Sequence, residues 1–170
     1  MSRTKPFDEQ GYFERVTTGP CFICEMLSGN PDYSHHVVYR DDHAVVFLNK
    51  YPTLYGYTLV APVEHREQVT GDFSQPAYLQ LQTVIYRVAE AVRQVVPTER
   101  VYLLSLGSQQ GNSHVHWHVA PLPPGVPFLK QQGEALRTDN GVLDLTEVEM
   151  ERLAIQIRHA IDGIHGDEAD

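Results

Sequence analysis

The chain has 170 residues, of which 42% are hydrophobic and 21% charged, a composition typical of one ordinary globular domain. Acidic residues outnumber lysine and arginine by 22 to 13, and the resulting net charge of −9 excludes a surface built to coat nucleic acid polymers or anionic membranes. A small phosphorylated ligand is compatible with this charge, because a few local donors can bind it.

Neither a membrane span nor a secretion signal is evident in the sequence. No apolar run reaches the roughly 20 residues of a bilayer-spanning helix, and the N-terminal residues lack the apolar core of a signal peptide. We therefore expect a cytoplasmic protein with no membrane and no nucleic acid polymer among its partners.

The two ends of the chain differ from its middle. Residues 1–19 are polar and show no clear hydrophobic period, which predicts a flexible N-terminal arm. Residues 163–170 are predicted to form an acidic C-terminal tail. The domain itself is predicted to span residues 20–162, beginning with a short helix over residues 22–27.

Short strands are predicted to follow this helix. Residues 36–40 and 44–48 contain the apolar runs Val-Val-Tyr and Ala-Val-Val-Phe-Leu on either side of Asp41-Asp42, which is typical of two strands joined by a tight turn. Residues 57–62, with the sequence Tyr-Thr-Leu-Val-Ala-Pro, form the third predicted strand.

The hydrophobic period then changes to that of a long helix. Pro76 fits a first helical position after Ser74, and the helix is predicted to end near Pro97. Apolar residues recur at helical spacing between them, namely Leu79, Leu81, Val84, Ile85, Val88 and Val92.

The remaining elements complete an α+β pattern. Residues 101–106 and 114–122 are predicted strands, and a last helix is predicted from Thr146, where Thr146 and Glu149 form a capping-box pattern. The apolar set of this C-terminal helix is Val148, Leu153, Ile157 and Ile161. Strands before and after one main helix predict an α+β fold with a mostly antiparallel sheet.

The segment from His114 to His118 alternates histidine with apolar residues. Because alternate side chains of a strand share a face, the histidines at 114, 116 and 118 are predicted to point one way and the apolar residues between them into the core. Three surface histidines with no common role are a poor explanation, because histidine is uncommon and the alternation is strict.

One interpretation is a metal site made by all three histidines. The outer pair, His114 and His118, lies about 13 Å apart on a strand that rises about 3.3 Å per residue, whereas zinc–nitrogen bonds are only about 2.0–2.1 Å long. A single ion therefore cannot easily bind all three rings.

The other interpretation is nucleophilic catalysis at phosphorus. A neutral imidazole is a good nucleophile near neutral pH, and its histidine neighbours can donate hydrogen bonds to phosphate oxygens and assist the leaving group. His116 is the best-placed nucleophile, because it alone has a histidine on both sides.

The run His-Val-His-Trp-His-Val-Ala at residues 114–120 resembles the histidine triad (HIT) motif, in which histidines alternate with apolar residues. Residues 21–24, 41–49 and 56–65 are similar to HIT segments in the same order, so that the resemblance covers about residues 20–122. It implies a HIT-like fold, with an antiparallel sheet of five or more strands, one long helix and a C-terminal helix. It also implies a homodimer.

The resemblance implies a role for each matching residue. His116 matches the nucleophile that becomes nucleotidylated, His118 the residue that contacts the α-phosphate, and His114 a supporting hydrogen-bonding histidine. Asn49 stands where the family binds the ribose hydroxyls, although it could equally end a strand. Phe22, Ile23 and Phe47 match the apolar pocket around the nucleobase, although they could also be ordinary core residues.

The turn at Gly111-Asn112-Ser113 precedes the triad directly. Its backbone N–H groups and polar side chains suit a phosphate, so these residues are candidate nucleotide-binding groups, although the same sequence suits a plain turn.

A second candidate site contains the two cysteines of the chain. The two-residue spacing of Cys21 and Cys24 favours metal binding or redox chemistry over a structural disulfide. With His65 and His114 they form a Cys₂His₂ set suited to tetrahedral zinc. Some bacterial HIT proteins carry such a structural zinc, so the resemblance implies Zn²⁺ here. A reduced, metal-free cysteine pair is the alternative, and no organic cofactor is expected.

The resemblance implies a nucleotide hydrolase. The expected reaction is cleavage at the α-phosphate of a nucleoside phosphoanhydride or phosphoramidate, with an adenosine-containing substrate such as a diadenosine polyphosphate, through a nucleotidyl-histidine on His116. Two alternatives stay open: a nucleotidyl transferase or phosphorylase in which phosphate is the acceptor, and a non-catalytic nucleotide-binding protein.

The sequence departs from the family pattern near the triad. The loop before the triad is slightly shorter than is common, and Pro121 is followed by Leu-Pro-Pro-Gly where many members carry arginine. Tyr57 replaces a histidine found in several branches. The first two departures bear on the identity of the substrate rather than on the chemistry.

Overall fold

The structure, a computed structural model, describes residues 3–107 and 110–164. Its helices and strands in chain order are β1 (Thr4–Lys5), α1 (Glu9–Thr18), α2 (Phe22–Leu27), β2 (Val37–Arg40), β3 (Ala44–Leu48), β4 (Thr58–Pro62), α3 (Gln75–Val95), β5 (Arg100–Ser105), β6 (Trp117–Leu122), β7 (Val142–Leu143) and α4 (Glu147–Ile164). None of the described helices is long and apolar enough to cross a membrane. Of the predicted acidic tail, residues 165–170 lie outside the described part of the chain.

A five-stranded antiparallel sheet in the order β2-β3-β4-β6-β5 forms the centre of the fold. This confirms the predicted α+β class. Strand β6 lies between β4 and β5, so that His118 is opposite Leu59 on one side and Leu104 on the other. The end of the triad is therefore held in register by two neighbouring strands.

The two faces of the sheet pack against different partners. Helices α3 and α4 cover one face, where Val115, Trp117 and Val119 join the main apolar cluster. The opposite face carries a second apolar cluster, which includes Ile23 of α2 and Phe47 of β3. The alternation predicted for the triad segment is confirmed on its apolar side, because all three apolar side chains are buried.

The two long helices begin as their sequences predict. The Ser74 hydroxyl caps α3 by accepting from the Ala77 N–H, with proline in the first turn. At the start of α4, Thr146 and Glu149 exchange capping-box hydrogen bonds. These local caps fix where each helix starts, and so which residues face the sheet.

Two members of the predicted apolar helix faces are exposed. Leu79 of α3 is 56% exposed and Val148 of α4 is 69% exposed. A helix turns about 100° per residue, which places Leu79 far around α3 from the buried Leu81, and Val148 far around α4 from the buried Leu153. Placing these two residues on the core faces was wrong.

The N-terminal segment differs from the flexible arm that the sequence predicts. Residues 4–5 pair with β7, and residues 9–18 form α1, whose N-cap Asp8 accepts from the Gly11 N–H. No residue of α1 is fully buried, which explains why it lacks a clear hydrophobic period. The helix is held by contacts with residues that are distant from it in the sequence.

Candidate active site

Residues from several elements enclose a cavity of about 480 Å³ on the face of the sheet opposite α3. His116 and His118 line it, so that two of the three triad histidines share one cavity. The complete lining is Tyr12, Arg15, Val16, Pro20, Phe22, Asp32, Tyr33, His35, Asn49, Lys50, Tyr51, Leu59, Leu106, Gly111, Asn112, His116 and His118.

The hydrogen bond of His116 fixes the role of its ring nitrogens. Its Nδ1 lies 2.8 Å from the carbonyl oxygen of His114, and because a carbonyl only accepts, Nδ1 must carry the proton. The Nε2 atom of a neutral ring then holds a lone pair. Burial lowers the pKa of His116, which is only 3% exposed, and so favours the neutral ring that a nucleophile requires.

His118 is held in the opposite tautomer by Tyr57. The Tyr57 hydroxyl lies 2.9 Å from His118 Nδ1, and burial raises the pKa of Tyr57 to about 12, so the hydroxyl keeps its proton and donates it. His118 Nε2 then carries hydrogen, and no described protein group accepts a hydrogen bond of normal geometry from it, although the nearby Leu106 backbone opposes part of the fall in its pKa. Burial lowers the pKa of His118 to about 4, so the ring is a neutral donor.

The first histidine of the triad belongs to a different cluster. His114 is fully buried, and its Nε2 lies 2.9 Å from the carbonyl oxygen of Pro62, which makes Nε2 the donor and leaves a lone pair on Nδ1. That lone pair faces the Cys21 and Cys24 sulfurs at 3.6 and 3.7 Å. Burial lowers the pKa of His114 to about 4, which favours the neutral ring of a metal ligand.

Cys21, Cys24, His65 and His114 form a possible metal site, with one ligand atom of each lying within 4.8 Å of the others. Zinc bonds of about 2.3 Å to sulfur and about 2.0 Å to nitrogen at tetrahedral angles place S and N atoms about 3.5 Å apart. The Cys24 sulfur lies 3.3 Å from His65 Nδ1 and 3.7 Å from His114 Nδ1. These separations fit the edges of a zinc tetrahedron.

The surroundings of this cluster also fit a metal. The Nε2 atom of His65 lies 3.3 Å from the Glu67 carboxylate, so both histidines have a partner on the nitrogen that faces away from the sulfurs, as metal-bound histidines usually do. Burial, the largest cause, and the hydrogen bond with Cys21 raise the pKa of Cys24 to about 11. A metal cation bound between the two sulfurs would stabilise the Cys24 thiolate and so offset the free-energy cost of burying its charge.

The residues predicted to bind nucleotide are divided between the cavity and the layer behind it. Phe22 lines the cavity and meets the His116 ring edge-on, with centroids 5.8 Å apart. Asn49 lines it too, and its Oδ1 accepts from the Tyr51 N–H at 2.8 Å. Ile23 and Phe47 are fully buried and do not line it, although Phe47 contacts Phe22.

The turn before the triad is also divided. Gly111 and Asn112 line the cavity and Ser113 does not. A Cβ atom on Gly111 would come within 2.9 Å of the Pro20 carbonyl oxygen and 3.1 Å of the Val16 carbonyl oxygen. Glycine is therefore needed here for the close approach of the N-terminal segment, a reason that the sequence does not reveal.

Sequence reasoning missed the contribution of α1 to the cavity. Tyr12, Arg15 and Val16 line it, although the segment is too polar to be recognised by its period. The available signal was the N-cap Asp8 followed by the apolar pair Tyr12 and Val16, four residues apart.

The site combines a histidine pair at the start of β6, both facing one cavity, with a separate cysteine–histidine cluster, as in a nucleotide-processing protein of the triad type. The HIT domain family model matches residues 30–124, and the chain therefore belongs to the HIT domain family. Membership supports nucleotide binding or a nucleotide hydrolase or transferase activity, and it confirms the family resemblance.

Relatives and solved structures agree with this assignment. An uncharacterised HIT-like protein of Saccharolobus solfataricus is 30% identical over 104 residues, which are 59% of this chain and 73% of that protein. The fold is similar to a hypothetical histidine triad nucleotide-binding protein of Sulfolobus tokodaii, with a TM-score of 0.70, 23% identity and coverage of 88% and 97% of the two chains. It is also similar to a zinc-bound histidine triad family protein of Mycobacterium smegmatis, with a TM-score of 0.65, 22% identity and coverage of 87% and 97%.

Proposed function

We propose that this protein is a nucleotide hydrolase that cleaves at the α-phosphate of a nucleoside phosphoanhydride or phosphoramidate. The observation that carries the proposal is the hydrogen bond from His116 Nδ1 to the His114 carbonyl oxygen. It leaves a lone pair on the Nε2 atom of a neutral ring, inside a cavity of nucleotide size.

The chemistry of the cavity walls supports a position for each part of the nucleotide. The apolar wall around Phe22 and Leu59 suits a nucleobase. The amide nitrogen of Asn49 can donate to a ribose hydroxyl, because its oxygen is already engaged by the Tyr51 N–H. The Nε2–H group of His118, which lines the cavity, has no acceptor of normal hydrogen-bond geometry among the described residues, and we assign to it a non-bridging oxygen of the α-phosphate.

The reaction proceeds in two displacements at phosphorus. His116 Nε2 forms a bond to the α-phosphorus as the bond to the leaving group breaks, and the leaving group takes that bond's electron pair, a phosphate departing as the anion and an amine departing with a proton taken from solvent. Water then attacks the phosphorus and gives its proton to solvent, and the N–P bond breaks with its electron pair returning to Nε2 as the nucleoside monophosphate is released. Hydrogen bonding from His118 stabilises the negative charge on the phosphoryl oxygens in both steps.

Product analysis tests this assignment. The protein is incubated with diadenosine tetraphosphate and with adenosine 5′-phosphoramidate, each with and without inorganic phosphate, and products are separated by chromatography. We expect AMP from either substrate without added phosphate. ADP that forms only when phosphate is present would instead identify a phosphorylase, and binding without turnover of either substrate would identify a nucleotide-binding protein.

Tyr57 is proposed as a positioning residue that acts through His118. Replacing Tyr57 with Phe removes the donor to Nδ1, so the Nε2–H tautomer is no longer fixed, and we expect kcat to fall about tenfold, as the loss of one buried hydrogen bond predicts. KM should change little. Tyr55→Phe is the matched control, because Tyr55 is exposed and lies outside the cavity lining. An unchanged kcat in Tyr57→Phe would remove Tyr57 from the mechanism.

We further propose that Cys21, Cys24, His65 and His114 hold a structural zinc ion. The distances within the cluster support this, as does the zinc-bound relative of similar fold. When bound, zinc would tie α2 to the segment before β6 and fix the orientation of His114. Since the His114 carbonyl accepts from His116, the cluster also helps to position the nucleophile.

A homodimer through strand β5 is proposed as well. This strand is an edge of the sheet, and Leu103 on it is 52% exposed. Because apolar edge strands are usually covered in native proteins, we expect a second copy of the chain to cover this one. We expect Leu103→Lys to convert a dimer into a monomer, measured by size-exclusion chromatography with light scattering. Val148→Lys is the control, because Val148 is 69% exposed on α4, which packs toward β2 at the opposite edge of the sheet. A monomeric wild type would contradict the proposal.

A further inference from the structure

The charged side chains of the cavity lie at its opening. His116 is 3% exposed and marks the closed end, where the α-phosphorus must lie for the proposed attack. Three charged side chains outside the histidines line the cavity: Arg15, Lys50 and Asp32, all of them exposed. Two cations and one carboxylate therefore surround the path by which a leaving group extends from the α-phosphate to solvent.

Helix α1 contributes Tyr12, Arg15 and Val16 to the lining of the cavity and is fixed on two sides. On one side the backbone at Val16 and Pro20 packs against Gly111, where there is no room for a side chain. On the other, the rings of Phe7, Tyr12 and Tyr51 form an aromatic cluster with centroids 5.2 to 6.0 Å apart. Two separate contacts therefore dock α1, which lies outside the residues matched by the family model.

The guanidinium of Arg15 is positioned without being neutralised. It donates to the Tyr51 hydroxyl at 3.1 Å and lies 6.0 Å from the centroid of that ring. Throughout residues 3–107 and 110–164, no ion pair joins it to a carboxylate. One neutral hydroxyl uses only one of its five N–H donors, which leaves the forked side suited to phosphate oxygens.

We propose that Arg15 is a specificity-determining residue that binds phosphate groups beyond the α-phosphate, and so selects nucleotides with an anionic, phosphate-containing leaving group. The inference rests on the proposed function, which places the α-phosphorus at His116. Arg15 stabilises the negative charge that builds up on the departing phosphate when the bond to the α-phosphorus breaks. A neutral leaving group, such as the ammonia released from a phosphoramidate, offers nothing for Arg15 to bind.

The test compares Arg15→Gln with wild type on two substrates. We expect kcat/KM for diadenosine tetraphosphate to fall at least about tenfold, as the loss of a charge-assisted hydrogen bond predicts. For adenosine 5′-phosphoramidate we expect it to change by less than about twofold, because that leaving group makes no such bond. Arg15→Lys should keep part of the preference. Arg93→Gln is the control, because Arg93 pairs with Glu90 on α3, away from the cavity.

Equal losses on both substrates would mean that Arg15 supports the shape of the cavity rather than the leaving group, and no loss on either would also overturn the inference. A binding measurement separates this result from a failure of the proposed function. In a His116→Asn background, calorimetry should show tighter binding of ATP than of AMP. Adding Arg15→Gln should reduce the ratio of the two affinities at least about tenfold. If wild type turns over neither substrate, the proposed function fails, and this affinity ratio alone decides the role of Arg15.

Discussion

Replacing His116 with Asn is expected to reduce hydrolysis of the preferred nucleotide by about 10⁴-fold or more, the order of magnitude seen when an enzyme loses its nucleophile. The Asn side chain can still donate to the His114 carbonyl as His116 Nδ1 does, but it has no atom in the position of Nε2. The variant should therefore keep its fold and lose the attacking lone pair. Initial rates and the melting temperature are measured together.

Nucleotide binding should survive this change. AMP contacts the apolar wall around Phe22 and the amide of Asn49 in our proposal, and neither depends on Nε2 of His116. We expect the Kd for AMP to stay within about threefold, since no charged contact is lost. His159→Ala, an exposed histidine of α4, is the control and should leave both activity and binding unchanged.

Two results would contradict the assignment of His116. A rate in His116→Asn within about tenfold of wild type would exclude a covalent intermediate on this residue. Rapid acid quenching of the wild-type reaction should reveal the nucleotidylated protein by mass spectrometry, and the adduct should be absent from the variant. An adduct that persists in His116→Asn would move the nucleophile to another residue.

Loss of zinc is expected to have the largest effect on stability. Cys24→Ser removes a sulfur that lies 3.3 Å from His65 Nδ1 and 3.7 Å from His114 Nδ1, and serine is a poor zinc ligand. We expect the zinc content to fall from one ion per chain to near zero. The melting temperature should fall by about 10 °C, because losing a structural metal costs several kcal/mol and 1 kcal/mol corresponds to about 2–4 °C in a chain of this size.

The measurements are metal analysis by mass spectrometry and thermal unfolding before and after treatment with a chelator. Chelation should lower the melting temperature of wild type and leave that of Cys24→Ser unchanged. His65→Ala should resemble Cys24→Ser, whereas His43→Ala, another exposed histidine outside the cluster, should resemble wild type. A wild-type protein that takes up no zinc on titration would contradict the proposed zinc site.

The proposed zinc cluster and the proposed nucleophile are linked through one residue. His114 faces the sulfurs with its Nδ1, while its own carbonyl oxygen accepts from His116 Nδ1. In our proposal, the first histidine of the triad therefore acts on catalysis through its backbone and on stability through its ring. His114 itself does not line the cavity, although it belongs to the motif.

The sequence by itself determined the features that depend on local geometry. The alternation of the triad segment put Val115, Trp117 and Val119 into the core and set His116 and His118 on the opposite face, although the strand itself begins only at Trp117 and His114 lies with the cysteines rather than in the cavity. The helix caps at Ser74 and Thr146 were also predictable from the sequence, because a cap is formed by residues within four positions of each other. Motif order was specific enough to predict the HIT family.

Tertiary structure decided which residues complete the site. Arg15 and Tyr12 come from a segment predicted to be a flexible arm, and Tyr57, directly before β4, fixes the tautomer of His118 from 61 residues away along the chain. No short-range pattern encodes such contacts, because α1 is amphipathic only toward a surface that exists once the sheet and the turn at Gly111 are in place. Local periodicity specifies the faces of helices and strands, whereas the pairing of those faces depends on packing over the whole chain.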